Sequence, residues 1–224
     1  MSLINKQIIT YLTLLIYLLI NIFFVLKYGE DQHFIDTRII VILYTAFIVT
    51  ILFVINNFRD FINKWRFFNF SFWGYVSVFF IGYIVLVIMV DGNDLTVDRW
   101  SAMEVSAKSV LNLEYPYDKL DHRNGTSSNF PGLIFLGIPF YLLGDVGFLQ
   151  PFIFAIVCYI VFKLNLSNTQ KLSFLFLLTA SIAYLWEVYV KSDLMSNLFL
   201  VLLFLLLWDK KYKSNYFKKP IFLD

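Results

Sequence analysis

The sequence predicts an all-α fold class, a polytopic membrane helix bundle with about six full spans and further juxtamembrane helices on the exterior side. Three observations support this prediction. Of the 224 residues, 59% are hydrophobic and only 15% are charged. Apolar runs of roughly 15 to 20 residues, close to the length that a helix needs to cross a bilayer, recur along the chain. The basic residues lie in short connections and a C-terminal cluster, which indicates membrane orientation and excludes a nucleic-acid partner.

The spans follow one another with short polar connections. We predict them at residues 7–26, 39–55, 72–90, 146–164, 172–190 and 194–208. Ile8–Leu26 is too long for a signal-peptide core and has no small-residue cleavage site after it, so we expect a retained helix. The single cysteine, Cys158, lies in an apolar run, which predicts a buried thiol and excludes an internal disulfide.

The basic residues set the orientation of these spans. Arg59, Lys64 and Arg66 should be cytoplasmic, and so should the lysine-rich C-terminal segment. Both assignments require an even number of crossings between them. The apolar run Pro131–Leu143 is too short to cross, and as a re-entrant or interfacial helix it satisfies this requirement. We therefore expect an integral protein of a bacterial inner (plasma) membrane with both termini in the cytoplasm.

Three regions follow from this topology. Residues 1–71 hold two spans and a cytoplasmic loop, residues 72–208 form a membrane core with an exterior loop at 91–145, and residues 209–224 form a basic cytoplasmic tail. Within the exterior loop, residues 100, 103, 107, 110 and 111 repeat at helical spacing and predict an amphipathic helix on the membrane. Tyr115-Pro116-Tyr117 ends it. A polar loop follows, and Pro131 begins the next helix at a position where proline is tolerated.

This exterior loop resembles a known family. An acidic residue after a span, an amphipathic helix, Tyr-Pro-Tyr, a polar loop and then FPGLIFLGIPFYLLG are similar to the first exterior loop of GT-C superfamily glycosyltransferases. That group includes protein O-mannosyltransferases and lipid A aminoarabinose transferases. The resemblance covers roughly residues 72–208 and implies transfer of a sugar from a polyprenyl-phosphate donor to an acceptor hydroxyl at the outer membrane surface. The core would accordingly be GT-C-like, with membrane lipid and the lipid-linked sugar as its partners.

The chain departs from the family pattern in three ways. Two extra spans precede the acidic loop, and six spans stand where the family usually has eight or more. The usual paired acids are replaced by the spaced set Asp91, Asp94 and Asp98.

The implied reaction needs a carboxylate to take the acceptor's proton and a cation beside the departing phosphate. The resemblance implies Asp98 as the catalytic carboxylate, because Asp98 aligns best with the family acid that precedes a helix start. The alternative role for Asp98 is that of a helix N-cap. Asp94 is expected to bind substrate or, like Asp91, to keep the loop solvated.

Further substrate-binding candidates lie in the exterior segments. Arg99, His122, Arg123 and Lys191 are the cations available to a phosphate, and Tyr115, Tyr117, Glu187 and Asp193 complete the predicted site. Each has a simpler alternative. The tyrosines suit a turn anchored at the membrane interface, and Asp193 suits the N-cap of the last span. Glu187, near the exterior end of its span, is expected to line a cavity because an ionisable residue facing lipid is unfavourable.

No cofactor is required by these residues, although a divalent metal held by Asp98 and Glu187 remains open. The two histidines, His33 and His122, lack the spacing of a structural zinc site. We also expect a protein partner or further C-terminal spans, because Glu187 and Asn197 have few neighbours to cover them in a six-helix set. The competing interpretation is a non-enzymatic membrane protein, such as a transporter subunit or a partner in glycan assembly.

Overall fold

The computed structural model describes residues 3–29 and 35–212, and these residues are helical without β-strands. The ten helices in this part of the chain are α1 (Leu3–Tyr28), α2 (Thr37–Asn57), α3 (Arg59–Lys64), α4 (Phe68–Met89), α5 (Arg99–Leu111), α6 (Pro131–Leu142), α7 (Leu149–Lys163), α8 (Asn168–Thr179), α9 (Ile182–Tyr189) and α10 (Leu194–Tyr212). Three 3-10 turns lie at Gly92–Asp94, Pro116–Asp118 and Val146–Phe148. The predicted all-α class is confirmed.

Fewer helices than predicted are long enough to cross a membrane. Among the described residues four qualify, namely Gln7–Tyr28, Thr37–Asn57, Phe68–Met89 and Val146–Lys163. A fifth span exists if α8 and α9, which bend by 52° at a short break, count as one. The predicted span at 194–208 falls in an apolar stretch, Leu194–Asp209, that is shorter than a full span. The structure therefore shows an all-helical chain with four candidate spans, and six full spans are not confirmed.

The chain divides into two compact units, Met1–Phe79 with Val161–Trp186, and Phe80–Ile160 with Glu187–Asp224. The predicted region boundary at residues 71 and 72 and the division between Phe79 and Phe80 both lie inside α4. Most of the predicted tail, and His33, lie outside the described residues.

The first unit contains the break between α8 and α9. A break in a membrane helix leaves carbonyl groups without helical partners, and such groups must be satisfied within the protein. The hydroxyl of Tyr17 on α1 donates to the carbonyl of Leu177 at 2.8 Å, and the hydroxyl of Tyr44 on α2 donates to that of Ala180 at 3.2 Å. The two N-terminal helices α1 and α2 thus supply donors to the break.

Asn21 of α1 serves the other side of the break. Its side-chain oxygen accepts hydrogen bonds from the Ser181 hydroxyl at 3.0 Å and from the Ala183 backbone N–H at 3.1 Å. The residue is only 1% exposed. Because α9 begins at residue 182, Asn21 satisfies an N–H in its first turn that would otherwise have no partner.

In the second unit α5 packs on α6. Met103 and Ala107 of α5 and Ile134 of α6 are buried. Gly137 permits the close approach, since a Cβ there would lie 2.8 Å from the Met103 sulfur. The predicted amphipathic helix and the predicted start at Pro131 are both present. Met103 and Ala107 of the predicted apolar side are thus buried, whereas Leu111 of the same side is 42% exposed, and the placement of this helix on the membrane stays a prediction.

Candidate functional site

A cavity of about 600 Å³ opens in the second unit where α4 ends. Its wall includes the last turn of α4 from Val87 to Met89, the residues from Val90 to Asn93 that follow it, and parts of α5 and of the segments around Gly144 and Lys191. The side chains that give it chemistry are those of Asp91, Trp100, Glu104, Asp145 and Lys191. We call it the acidic cavity, since three carboxylates and one ammonium leave two net negative charges when all four groups are ionised.

An ion pair between Asp145 and Lys191 organises one wall. The Lys191 ammonium contacts Asp145 Oδ2, and its side chain is 2% exposed against 19% for the aspartate. Asp145 Oδ1 accepts two further hydrogen bonds, from Trp100 Nε1 at 3.0 Å and from the Gly147 backbone N–H at 2.7 Å. The carboxylate is therefore held by three donors, and the lysine charge is neutralised before any ligand arrives.

Two glycines make room for this wall. A Cβ at Gly147 would lie 2.8 Å from Lys191 Cδ, and a Cβ at Gly92 would lie 2.0 Å from the Trp100 ring. Lys191 itself has φ of 53°, a left-handed conformation that an L-residue with a side chain adopts only at a cost. Its ammonium lies 5.5 Å from the Trp100 ring centroid, within the range of a cation–π contact.

Glu104 of α5 has a side-chain carboxyl oxygen that forms no hydrogen bond with the described residues. Its Oε2 is buried and has no hydrogen-bond partner among the described residues. Burial raises the pKa of Glu104, and the negative charges of Asp145 and Asp91 raise it further. The ammonium groups of Lys191 and Lys108 oppose this shift.

The pKa of Asp91 is shifted in the opposite direction to that of Glu104. It follows the end of α4, is exposed, and accepts hydrogen bonds from the backbone N–H and the side-chain amide of Asn93 at 2.9 and 3.0 Å. These bonds, the backbone bond first, lower the pKa of Asp91 and keep it ionised.

The sequence-predicted acids and cation around the start of α5 lie elsewhere. Asp98, Asp94 and Arg99 are exposed, and none of the three lines the acidic cavity. Asp98 immediately precedes α5, yet its side chain forms no cap hydrogen bond in the described part of the chain, so the N-cap alternative lacks its defining contact. The catalytic role of Asp98 stays a prediction.

The loop residues His122 and Tyr117 hold the loop in place. His122 Nδ1 lies 2.5 Å from the Ser101 hydroxyl on α5, and its Nε2 lies 3.0 Å from the Leu95 carbonyl, to which it donates. The Tyr117 hydroxyl donates to the Asn129 carbonyl at 2.8 Å. Tyr115, packed against the Tyr117 ring, and Arg123 are exposed and do not line the cavity.

Of the predicted site residues in α9 and in the connection to α10, only Lys191 lines the acidic cavity. Glu187 is 3% exposed and accepts a hydrogen bond from the Met195 N–H at 3.5 Å. Asp193 accepts one from the Asn197 side-chain amide at 2.8 Å. Glu187 and the amide nitrogen of Asn197 thus find contacts within the chain, whereas Asn197 Oδ1 is buried without a hydrogen-bond partner among the described residues. The partner itself stays a prediction.

The sequence did not predict that Glu104, Asp145 and Trp100 line one cavity. The helical period placed Glu104 among the polar residues of α5 and Trp100 on its apolar side, so nothing joined them. Asp145 follows Gly144, and its Oδ1 bond to Gly147 is the local feature that a sequence could suggest. For the metal left open at Asp98 and Glu187, no group of three or more His, Cys, Asp or Glu within the described residues could hold an ion.

Comparisons with protein-family models, with curated proteins and with solved structures find no match to this chain.

Proposed function

We propose that this chain is a membrane glycosyltransferase that moves a sugar from a polyprenyl-phosphate donor to an acceptor hydroxyl at the outer membrane face. The observation that carries the proposal is the acidic cavity. It begins at the last turn of a candidate span, close to the depth at which a lipid-linked donor presents its head group, and most of its wall belongs to the segment that resembles the GT-C loop.

The chemistry required is limited. The acceptor oxygen attacks the anomeric carbon, the bond from that carbon to the phosphate oxygen breaks, and the electron pair leaves with the phosphate. The hydroxyl proton passes to a carboxylate. The resemblance implies Asp98 for this role, and Asp91 stands at the mouth of the cavity as an ionised competitor.

The test compares these two carboxylates in membranes. Transfer is measured with a panel of radiolabelled polyprenyl-phosphate sugars, mannose among them, for the parent, Asp98→Asn and Asp91→Asn at matched protein level. Loss of a proton acceptor should lower turnover by a factor of about 100 to 10,000. Asp118→Asn is the matched control, because Asp118 is an exposed aspartate of the same exterior segment outside the cavity. If membranes that contain the parent protein transfer no sugar from any of these donors, the proposal is ruled out.

One observation favours the non-enzymatic alternative. Transporters often place a substrate site at a broken helix, and the α8–α9 break is such a feature. The carbonyls of Leu177 and Ala180 at this break already accept from tyrosine hydroxyls. They offer less to a transported ion than free carbonyls would, so we rank this alternative second.

A further inference from the structure

Glu104 differs from the other carboxylates of the acidic cavity in having a buried oxygen that no group serves. Asp145 is held by Lys191, Trp100 and Gly147, and Asp91 is held by Asn93. The Oε2 of Glu104 is buried without a partner among the described residues. A carboxylate that lacks hydrogen-bond donors is unfavourable, and Glu104 lines the cavity, so a hydroxyl of a molecule bound there can donate to this carboxylate.

The charges around Glu104 determine what the cavity accepts. Asp145 and Lys191 face it across the cavity, Asp91 lies at the end of α4, and Lys108 lies one turn further along α5. The packed helix α6 adds none, because Pro131–Leu142 contains no charged residue. Lys191 is the ammonium on the described wall of the cavity and is already paired with Asp145, so a phosphate would find no free cation there and a neutral hydroxyl compound is the suitable ligand.

On the basis of the proposed function, we infer that the acidic cavity binds the hydroxyl-bearing acceptor and that Glu104, in place of Asp98 or Asp91, takes the acceptor's proton. The donor's phosphate then stays outside the cavity, where Arg99 is exposed and available to it. As the acceptor oxygen bonds to the anomeric carbon, its proton moves to the Glu104 carboxylate and the phosphate leaves with the electron pair of the broken bond. Burial and the neighbouring carboxylates raise the pKa of Glu104, which makes it a stronger base than an exposed carboxylate.

The first experiment compares Glu104→Gln with the parent in the transfer assay. We expect kcat to fall by a factor of about 100 to 10,000 while the KM for the donor stays unchanged, because the donor's phosphate does not touch this residue. Glu114→Gln is the matched control, since Glu114 is an exposed glutamate that pairs with Lys119. Near-parental turnover of Glu104→Gln in active membranes would overturn this inference and leave the proposed function standing. Absence of transfer by the parent would overturn the proposed function itself.

Misfolding would not explain a loss in Glu104→Gln. The folded-state pKa of Glu104 is raised, so its charged form opposes folding above that pKa, and the opposition disappears as the pH falls through it. Replacing the charged carboxylate with an amide should therefore leave the melting temperature of the variant at or above that of the parent at alkaline pH. A lower melting temperature there would contradict the assigned environment.

A pH profile separates a proton acceptor from a merely structural residue. The acid limb of kcat/KM should follow ionisation of Glu104, with activity lost as the pH falls. Lys108→Met removes an exposed ammonium that lowers the pKa of Glu104, so this variant should fold and its acid limb should move to higher pH. An acid limb that stays at the parental position would overturn the assignment of the proton to Glu104.

Discussion

Lys191→Met is the change whose effect the structure constrains most tightly. Methionine keeps the length of the buried side chain and removes its charge, so the Asp145 carboxylate is left without its cation. Removing one partner of a buried ion pair costs about 3–5 kcal/mol, because the remaining charge is uncompensated. Asp145 keeps two N–H donors and is 19% exposed, which places the expected loss near the lower end, about 3 kcal/mol.

This loss converts to a measurable change in melting temperature. At roughly 2–4 °C per kcal/mol for a chain of this size, purified Lys191→Met in detergent should melt about 6–12 °C below the parent. The exposed pair between Lys119 and Glu114 provides a matched control. Its side chains are 45% and 48% exposed, and Lys119→Met should cost no more than about 1 kcal/mol.

A second substitution, at Asp145, should restore part of the stability that Lys191→Met loses. In the double variant Lys191→Met with Asp145→Asn no buried charge remains, and the asparagine oxygen can still accept from Trp100 and Gly147. Replacing both ions by neutral groups is often nearly neutral, so the double variant should be more stable than Lys191→Met alone. A double variant that is no more stable than the single one would refute the buried ion pair.

Three further predictions concern other parts of the chain. Gly92→Ala should lower the free energy of unfolding by about 1–3 kcal/mol, because the added Cβ would lie 2.0 Å from the Trp100 ring. Gly74→Ala is the control and should not destabilise the protein, since its Cβ would meet no neighbouring group within 4 Å. Equal melting temperatures of the two variants would contradict this prediction. Asn21→Leu removes the acceptor of two hydrogen bonds at the helix break and should lower stability by about 1–3 kcal/mol in a thermal melt; an unchanged melt would contradict that role. In intact cells an impermeant maleimide should label Ser128→Cys at once but Lys64→Cys only after permeabilisation, and the reverse order would invert the predicted topology.

The sequence alone determined the class of the protein and several helix positions. Hydropathy requires only composition and length, so four long apolar helices could be located from the residues themselves. The amphipathic helix at Arg99–Leu111 and the start of the next helix at Pro131 were also predictable, because helical spacing and proline are local signals.

The break in the predicted span at 172–190 was not predictable. Its hydropathy is continuous, so the sequence predicts one helix. The break exists where groups of two distant helices, Tyr17, Tyr44 and Asn21, satisfy the backbone of residues 177–183. Sequence patterns report local preference, whereas this hydrogen bonding depends on residues up to 162 positions apart.

In the candidate site, too, some features follow from the sequence and others only from tertiary packing. The residues alone indicated that Lys191 was a cation of interest and that residues 91–145 held the acids. Only the tertiary structure decided that Lys191 pairs with Asp145, 46 positions away, and that Glu104 keeps a buried oxygen free while Asp98 is exposed. A charge in a sequence has a residue type and a neighbourhood along the chain, but its partner and its burial are set by which helices pack together, and those properties decide what the charge can do.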